Sequence, residues 1–312
     1  MANLTLKGKQ TQAFQQLQCS PTLIQGSHQH LIFLSSFNTI LSITAFLGNG
    51  LILSALRKES SLHPPSKLLY RCLATTDLFV GIIAEPLKVA YFMALAHEKW
   101  TFCPYARDSS YIASYILSGV SLLTMTAISV DRLLALLLGL RYRQVVTLKR
   151  TYLVAAAFWI ISTVVAMAYF RNHLLTIWGG NIVIPSCLAV SFLSYSKIFH
   201  ILRHRQTRVQ DHMQLQQPSQ GTPLNIGRYK KAVSSALWVQ LTLAVCYLPF
   251  GIMAALLSNN GLSSSNFFAW ELTVTVLYLN SSLNPFLYCW KIREVKQAVK
   301  ETIREALCCS FC

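Results

Sequence analysis

The chain has 312 residues, 53% of them hydrophobic and 12% charged, with a mean hydropathy of +0.43. A soluble domain carries about 25% charged residues, so too few are present to cover a water-exposed surface, which excludes a soluble enzyme, a disordered protein and a secreted disulfide scaffold. The formal charge of +16, from 27 Lys and Arg against 11 Asp and Glu, does not indicate nucleic acid, because a nucleic-acid module is not this apolar.

Hydrocarbon about 30 Å thick takes roughly 20 apolar residues per helical crossing. Residues 1–30 are polar and show no short apolar run with a cleavage site, so the first span is expected to be its own anchor. Seven spans follow, at Leu31–Leu56, Leu68–Leu95, Tyr105–Leu138, Tyr152–Phe170, Ile177–Ile201, Ala232–Leu257 and Phe267–Trp290. Their connections are short, except for the polar stretch Arg203–Arg228, which reads as a solvated loop. After Trp290, Ile292, Val295, Val299, Ile303 and Leu307 fall on one stripe flanked by Arg293, Lys296, Lys300 and Arg304. That pattern predicts an interfacial amphipathic helix on an anionic leaflet. The expected architecture is an all-α membrane protein: an extracellular segment (1–30), a seven-transmembrane helix bundle (31–290), and a short amphipathic cytoplasmic helix with a cysteine-rich tail (291–312).

Basic residues set the orientation. Arg57, Lys58, Lys67, Arg141, Arg143, Lys149, Arg150, Arg203, Arg205, Arg208, Arg228, Lys230, Lys231 and the tail cations all fall on one side. Lys7, Lys9, Lys99, Arg107 and Arg171 fall on the other. The tail side is therefore expected to be cytoplasmic and the N-terminus extracellular. Asn3-Leu4-Thr5 then makes Asn3 a candidate glycosylation site. Cys308, Cys309 and Cys312 are juxtamembrane and suit palmitoylation. A metal site there lacks an accompanying His or acid.

Ionisable groups inside spans are expensive and mark function. Asp77 lies mid-span, and Asp131-Arg132 ends the third span. Glu85, Lys88 and Glu271 lie nearer the outer ends, where snorkelling to the interface and an inward functional role both stay open. At 100° per residue, Ser121, Ser114 and Arg107 lie 11, 18 and 25 residues before Arg132, all within about 20° of one direction. The third helix thus carries a polar column that must face the bundle interior. On the seventh, Asn280, Asn284 and Tyr288 share a face beside a kinking Pro285.

These residues carry a resemblance. The sequence resembles the rhodopsin-like (class A) G-protein-coupled receptors over all seven spans and the tail. It has Gly48-Asn49, Leu73-Ala74-x-x-Asp77, Trp100-x-Phe102, Asp131-Arg132-Leu133, Trp159, Tyr195, Cys246-Tyr247-Leu248-Pro249 and Asn284-Pro285-x-x-Tyr288 in order. The resemblance implies a plasma-membrane, multi-pass receptor that answers an extracellular ligand. It would activate a heterotrimeric G protein by opening its cytoplasmic helix ends, with arrestin, receptor kinases and membrane lipid as further partners. It also implies an activation switch of Asp131, Arg132, Tyr195, Tyr247, Pro249, Asn284, Pro285 and Tyr288, with Asp131 holding Arg132 at rest. It implies an allosteric sodium pocket of Asn49, Asp77, Ser121, Asn280 and Asn284, the ion itself on Asp77 and Ser121, and no other cofactor.

The departures from the family pattern narrow the ligand. Arg107 stands where the family's disulfide cysteine is expected, and the second outer loop, about Arg171–Thr176, is short and has no cysteine. The same combination is similar to the melanocortin, lysophospholipid and cannabinoid branch. Cys19 and Cys103 remain on the oxidising side, with a bridge between them left open. Tyr229 replaces an acid that commonly pairs with Arg132, so appreciable basal activity is expected. Ser114 occupies the place of the aminergic Asp and Tyr278 that of the retinal lysine, disfavouring a biogenic amine and retinal. The candidate ligand cavity comprises Glu85, Lys88, Tyr91, Arg107, Ser110, Tyr111, Ser114, Tyr247, Glu271 and Tyr278, which suits a peptide, a lipid or a small anion. The alternative is a seven-helix transporter or channel, which calls for repeated halves or rings of pore charges that the sequence does not show. No enzyme constellation stands in a plausible setting.

Overall fold

The computed structural model describes residues 15–24, 28–58, 62–171, 173–215, 224–260, 263–291 and scattered positions from 296 to 304. Side chains are not described at 24, 171–174, 205–206, 208–237, 258–260, 264–265 and 288–291. Seven long helices run through it: α1 (His28–Lys58), α2 (Pro64–Ala96), α3 (Cys103–Leu138), α4 (Leu148–Arg171), α5 (His173–Leu215), α6 (Leu224–Asn260) and α7 (Ser264–Lys291). In hydrocarbon every backbone N–H and C=O must be satisfied within its own segment, which makes the helix the only open-ended solution.

The side chains are arranged inside out relative to a soluble bundle. Leu47, Leu153, Ile160, Val164, Ile182 and Leu193 are exposed, whereas Asn38, Asn49, Asp77, Glu85, Glu271 and Asn284 are fully buried. Six of the described helices are long and apolar enough to cross a membrane. The seventh, α7, falls short of that standard because it carries Glu271, Asn280, Ser281, Ser282 and Asn284, and all five face the interior. Its polarity belongs to the inside of the bundle rather than to water.

Each expected span falls within one of these helices, and two boundaries need correction. Arg203–Arg228 is not one solvated loop: α5 continues to Leu215 and α6 begins at Leu224. Up to Leu215 the stretch is rich in Arg and Gln and free of Gly and Pro, so a helix already nucleated in the membrane propagates outward. The expected outer loop Arg171–Thr176 is helical on both sides, since α4 ends at Arg171 and α5 starts at His173. Thr176 is buried and its hydroxyl donates to the Val165 carbonyl at 3.3 Å. Of the tail stripe, Val299 is buried while Lys296 and Lys300 are exposed, as the amphipathic pattern requires. Asn3, Cys308, Cys309 and Cys312 lie outside the described residues, as do the side chains of Tyr229 and Tyr288.

Within α2 the ladder widens to a π turn at Val80–Ala84. Pro86 has no N–H to return to the Ile82 carbonyl, which loosens the ladder there. Ser42 of α1 donates to the Gly81 carbonyl at 2.6 Å. Helices α1 and α2 approach so closely at this point that a Cβ on Gly81 would lie 2.9 Å from both the Phe46 nitrogen and the Ser42 oxygen. Backbone atoms cannot step aside cheaply. Gly81→Ala is therefore expected to cost about 1–3 kcal/mol and to lower the thermal midpoint of the purified receptor. Gly50→Ala, with its nearest neighbour 4.0 Å away, should leave that midpoint unchanged. Equal midpoints for the two variants would refute the close-packing account.

Candidate functional site

The polar column expected on α3 faces inward: Arg107 and Ser121 are buried, and Ser114 and Arg132 are partly so. Three clusters sit along it, one near the face that carries the N-terminus, one at mid-depth and one near the basic face.

At mid-depth, Asp77 accepts hydrogen bonds on Oδ1 from Ser121 at 3.0 Å and Ser281 at 2.8 Å, and on Oδ2 from Asn284 at 2.6 Å. Asn49 donates to the Ser281 carbonyl at 3.0 Å. That bond has a local cause: Pro285, four residues on, has no N–H to give to this carbonyl, so the amide of α1 completes it. Ser281 was not among the residues expected here, although Pro285 already signals an orphaned carbonyl at this position. The Asn280 amide donates to the Met125 sulfur at 3.5 Å. The Oδ1 atoms of Asn49, Asn280 and Asn284 are buried without a hydrogen-bond partner. Spare amide oxygens around a carboxylate form a donor set that fits a hard cation.

Near the basic face, Asp131 accepts from the Tyr142 hydroxyl at 2.6 Å and the Ser66 hydroxyl at 2.8 Å. Neither partner was anticipated; Tyr142 sits in a short helix (Tyr142–Val145) after α3. The Arg132 guanidinium stacks 5.4 Å from the centre of the Tyr70 ring, a cation–π contact. Tyr195 of α5 lies against Ser129 of α3. The Asp131 carboxylate is therefore engaged by hydroxyls while the Arg132 guanidinium rests on an aromatic ring.

Near the N-terminal face, Glu85, Lys88 and Glu271 are all fully buried, so none of them snorkels. The Lys88 Nζ pairs with Glu271 Oε2 at 2.5 Å and lies 4.7 Å from the centre of the Tyr111 ring. The Tyr111 hydroxyl donates to Glu271 Oε1 at 3.2 Å while accepting from Trp270 and Gln18, each at 2.9 Å. Gln18 is 0% exposed, and its carbonyl also accepts from Tyr91 at 3.2 Å. Arg107 pairs with Asp108 at 2.8 Å and donates to the Gln15 carbonyl. Cys19 and Cys103 form a disulfide, which closes the alternative the sequence left open.

Beneath this layer lies a cavity that is open on one side. Of the expected cavity residues, Lys88, Tyr111, Ser114 and Tyr247 line it. Tyr278 is hydrogen-bonded to Ser114, Glu271 stands behind Lys88, and Tyr91 and Arg107 belong to the layer above. The cavity extends further between α3, α4 and α5 than the sequence suggested, along Gly119, Leu122, Ser162, Val165, Gly180 and Ile184. Apolar residues in apolar spans carry no periodic signal that separates a cavity wall from a lipid contact.

A family model for the 7 transmembrane receptor (rhodopsin family) matches residues 48–174 and 169–288. The chain is 25% identical over 302 residues to the adenosine receptor A3 of Ovis aries, covering 86% of this chain and 89% of that one. To the adenosine receptor A3 of Bos taurus it is 24% identical over 306 residues, covering 88% and 90%. These relatives give no support to the melanocortin, lysophospholipid or cannabinoid likeness, nor to a transporter. With well over half of the chain matched, it belongs to the rhodopsin-like family of seven-transmembrane receptors, non-enzymatic proteins of the membrane that respond to a ligand by signalling through a G protein.

Proposed function

We propose that ligand occupancy near the N-terminal face is transmitted along α3 to Asp131 and Arg132. The observation that carries this is the succession of buried polar clusters spaced along one helix. Lys88, Glu271 and Tyr111 sit above, and Tyr247 donates to the Ser118 carbonyl at 3.4 Å below them. Asp77 with Ser121 follows, then Asp131 with Ser66 and Tyr142. Each of these groups has more than one available partner, and polar contacts that can re-pair give a packed bundle two discrete states. A ligand that binds one state more tightly then shifts the population.

In this reading the N-terminal face is extracellular and the receptor resides in the plasma membrane, as the distribution of basic residues supports. The basic face meets the G protein, and arrestin, receptor kinases and anionic lipid meet the same face. Asn3 carries glycan and Cys308, Cys309 and Cys312 carry palmitate. Sodium would be held by Asp77, Ser121 and the spare amide oxygens of Asn280 and Asn284, and would supply positive charge that favours the resting packing. Asn49 serves to position Ser281.

The test is nucleotide exchange by G protein in ligand-free membranes. The wild-type receptor is expected to raise exchange above receptor-free membranes, and Arg132→Ala to return it to that background. A second arm replaces sodium with a large organic cation. Wild-type exchange should rise, while Asp77→Asn should not respond. An Arg132→Ala receptor as active as wild type would overturn the transmission path, and an unchanged sodium response in Asp77→Asn would overturn the ion site.

A further inference from the structure

We propose that the cavity takes an uncharged lipophilic ligand with one hydrogen-bonding end, which reaches it from the bilayer through the gap between α4 and α5. This deepens the receptor reading above and rests on it.

Access from the water side is obstructed first. The disulfide draws residues 15–24 across the mouth, where Gln18 is fully buried against Tyr91 and Tyr111. Leu23 is 1% exposed, so the segment is packed as part of the core. Lys88, Glu271 and Trp270, directly beneath, are 1%, 0% and 2% exposed. A polar ligand arriving from water would have to dismantle this layer.

The side wall differs. Ile161 of α4 lines the cavity and is 49% exposed on the lipid-facing surface. Gly179 and Gly180 of α5 line it as well. A Cβ on Gly180 would meet nothing within 4 Å, and one on Gly179 only Val165 at 3.6 Å. Gly180 faces open space and Gly179 only touches Val165 of α4, so the pair leaves a gap where larger side chains would otherwise close the seam. They stand six and seven residues into α5, about 10 Å below its start, within the acyl-chain depth of the leaflet on the N-terminal face.

The lining sets the chemistry. Lys88 is the only charged residue among the described ones that line the cavity, and its charge is already neutralised by Glu271. An ionic head group would be buried without a counter-ion, at a cost of several kcal/mol. Among the described residues of the wall, the Ser162 hydroxyl of α4, against Gly119 of α3, is buried without a hydrogen-bond partner. It is placed to bond a hydroxyl, ester or amide, while Leu122, Val165, Val183 and Ile184 receive the chain.

The experiment uses the full receptor in phosphatidylcholine vesicles with three photoreactive probes. These are a diazirine long-chain monoacylglycerol, the fatty acid of the same chain, and an azido-adenosine. Labelled peptides are mapped by mass spectrometry. The monoacylglycerol is expected to label residues 161–165 and 179–184 about tenfold more than either other probe, the difference reflecting the unpaired charge or excess polarity of the rivals. Gly180→Leu, whose side chain enters open space and leaves the fold intact, should cut that labelling about fivefold. Ser162→Val should cut it without closing the gap. Equal labelling by the fatty acid, preferential labelling by the nucleoside, or full labelling of both variants would overturn the proposal. Arg132→Ala separates the two readings, because labelling should persist when coupling is lost. Failed labelling with intact nucleotide exchange sinks only the ligand class.

Discussion

Glu271→Ala is expected to destabilise the receptor by about 3–5 kcal/mol, the usual penalty for leaving a buried charge without its partner. Lys88 is 1% exposed and its Nζ is 2.5 Å from Glu271 Oε2, so its ammonium is held out of bulk solvent by that carboxylate. The three rings around it, Tyr111 at 4.7 Å, Tyr91 at 5.2 Å and Phe92 at 5.3 Å, offer cation–π attraction worth about 2 kcal/mol or less each. They soften the loss but cannot replace a carboxylate. The damage should also spread, since Glu271 Oε1 accepts from Tyr111, which in turn anchors Gln18 and Trp270. The measurement is the thermal midpoint of purified receptor together with the yield of monodisperse protein after extraction. Lys88→Met combined with Glu271→Gln removes both charges while keeping an oxygen for Tyr111, and should recover most of the lost stability. A double variant as unstable as Glu271→Ala would show that the pair is incidental and that some other property of Glu271 matters.

This pair also marks where sequence reasoning reaches its limit. Spans were legible because the bilayer permits little besides helices, and the α3 column was legible because 100° per residue turns spacing into direction. Asp77 declared itself by being charged at mid-depth. Lys88 and Glu271 did not, because a long side chain near a helix end can leave the membrane as readily as turn inward. What decides is a partner 183 residues away in the chain, which no local pattern encodes. Ser281 was missed for another reason: a serine among apolar residues reads as filler until Pro285 is seen to orphan its carbonyl. Gln18 was out of reach because its burial depends on the Cys19–Cys103 pairing. The extension of α5 reads as a solvated loop from its polarity, although nothing in it breaks a helix before Leu215. The α4–α5 wall of the cavity left no trace, being built from the same isoleucines, valines and glycines that elsewhere face lipid.

Breaking the Cys19–Cys103 bridge should produce the second large effect. The bond joins residues 84 apart in sequence, and a loop of that length constrains the unfolded chain by about 4–5 kcal/mol in the entropic account. The folded state adds to this, since the bridge holds Leu23 and Gln18 in the core and brings Gln15 to Arg107. Cys19→Ser with Cys103→Ser is therefore expected to lower the thermal midpoint by roughly 10 °C. Reductant should lower the wild type towards the same value and leave the double variant unmoved. The structure further requires that the freed segment release Tyr111, so the double variant should gain hydrogen exchange in residues 15–24 and at the N-terminal end of α3. Gln18→Ala separates the two contributions. It keeps the covalent tie but removes the donor to Tyr111, and should cost about 1 kcal/mol while retaining sensitivity to reductant. If the double variant matched wild type in both midpoint and exchange, the segment would be a passive tether and the sealed mouth would have to be abandoned.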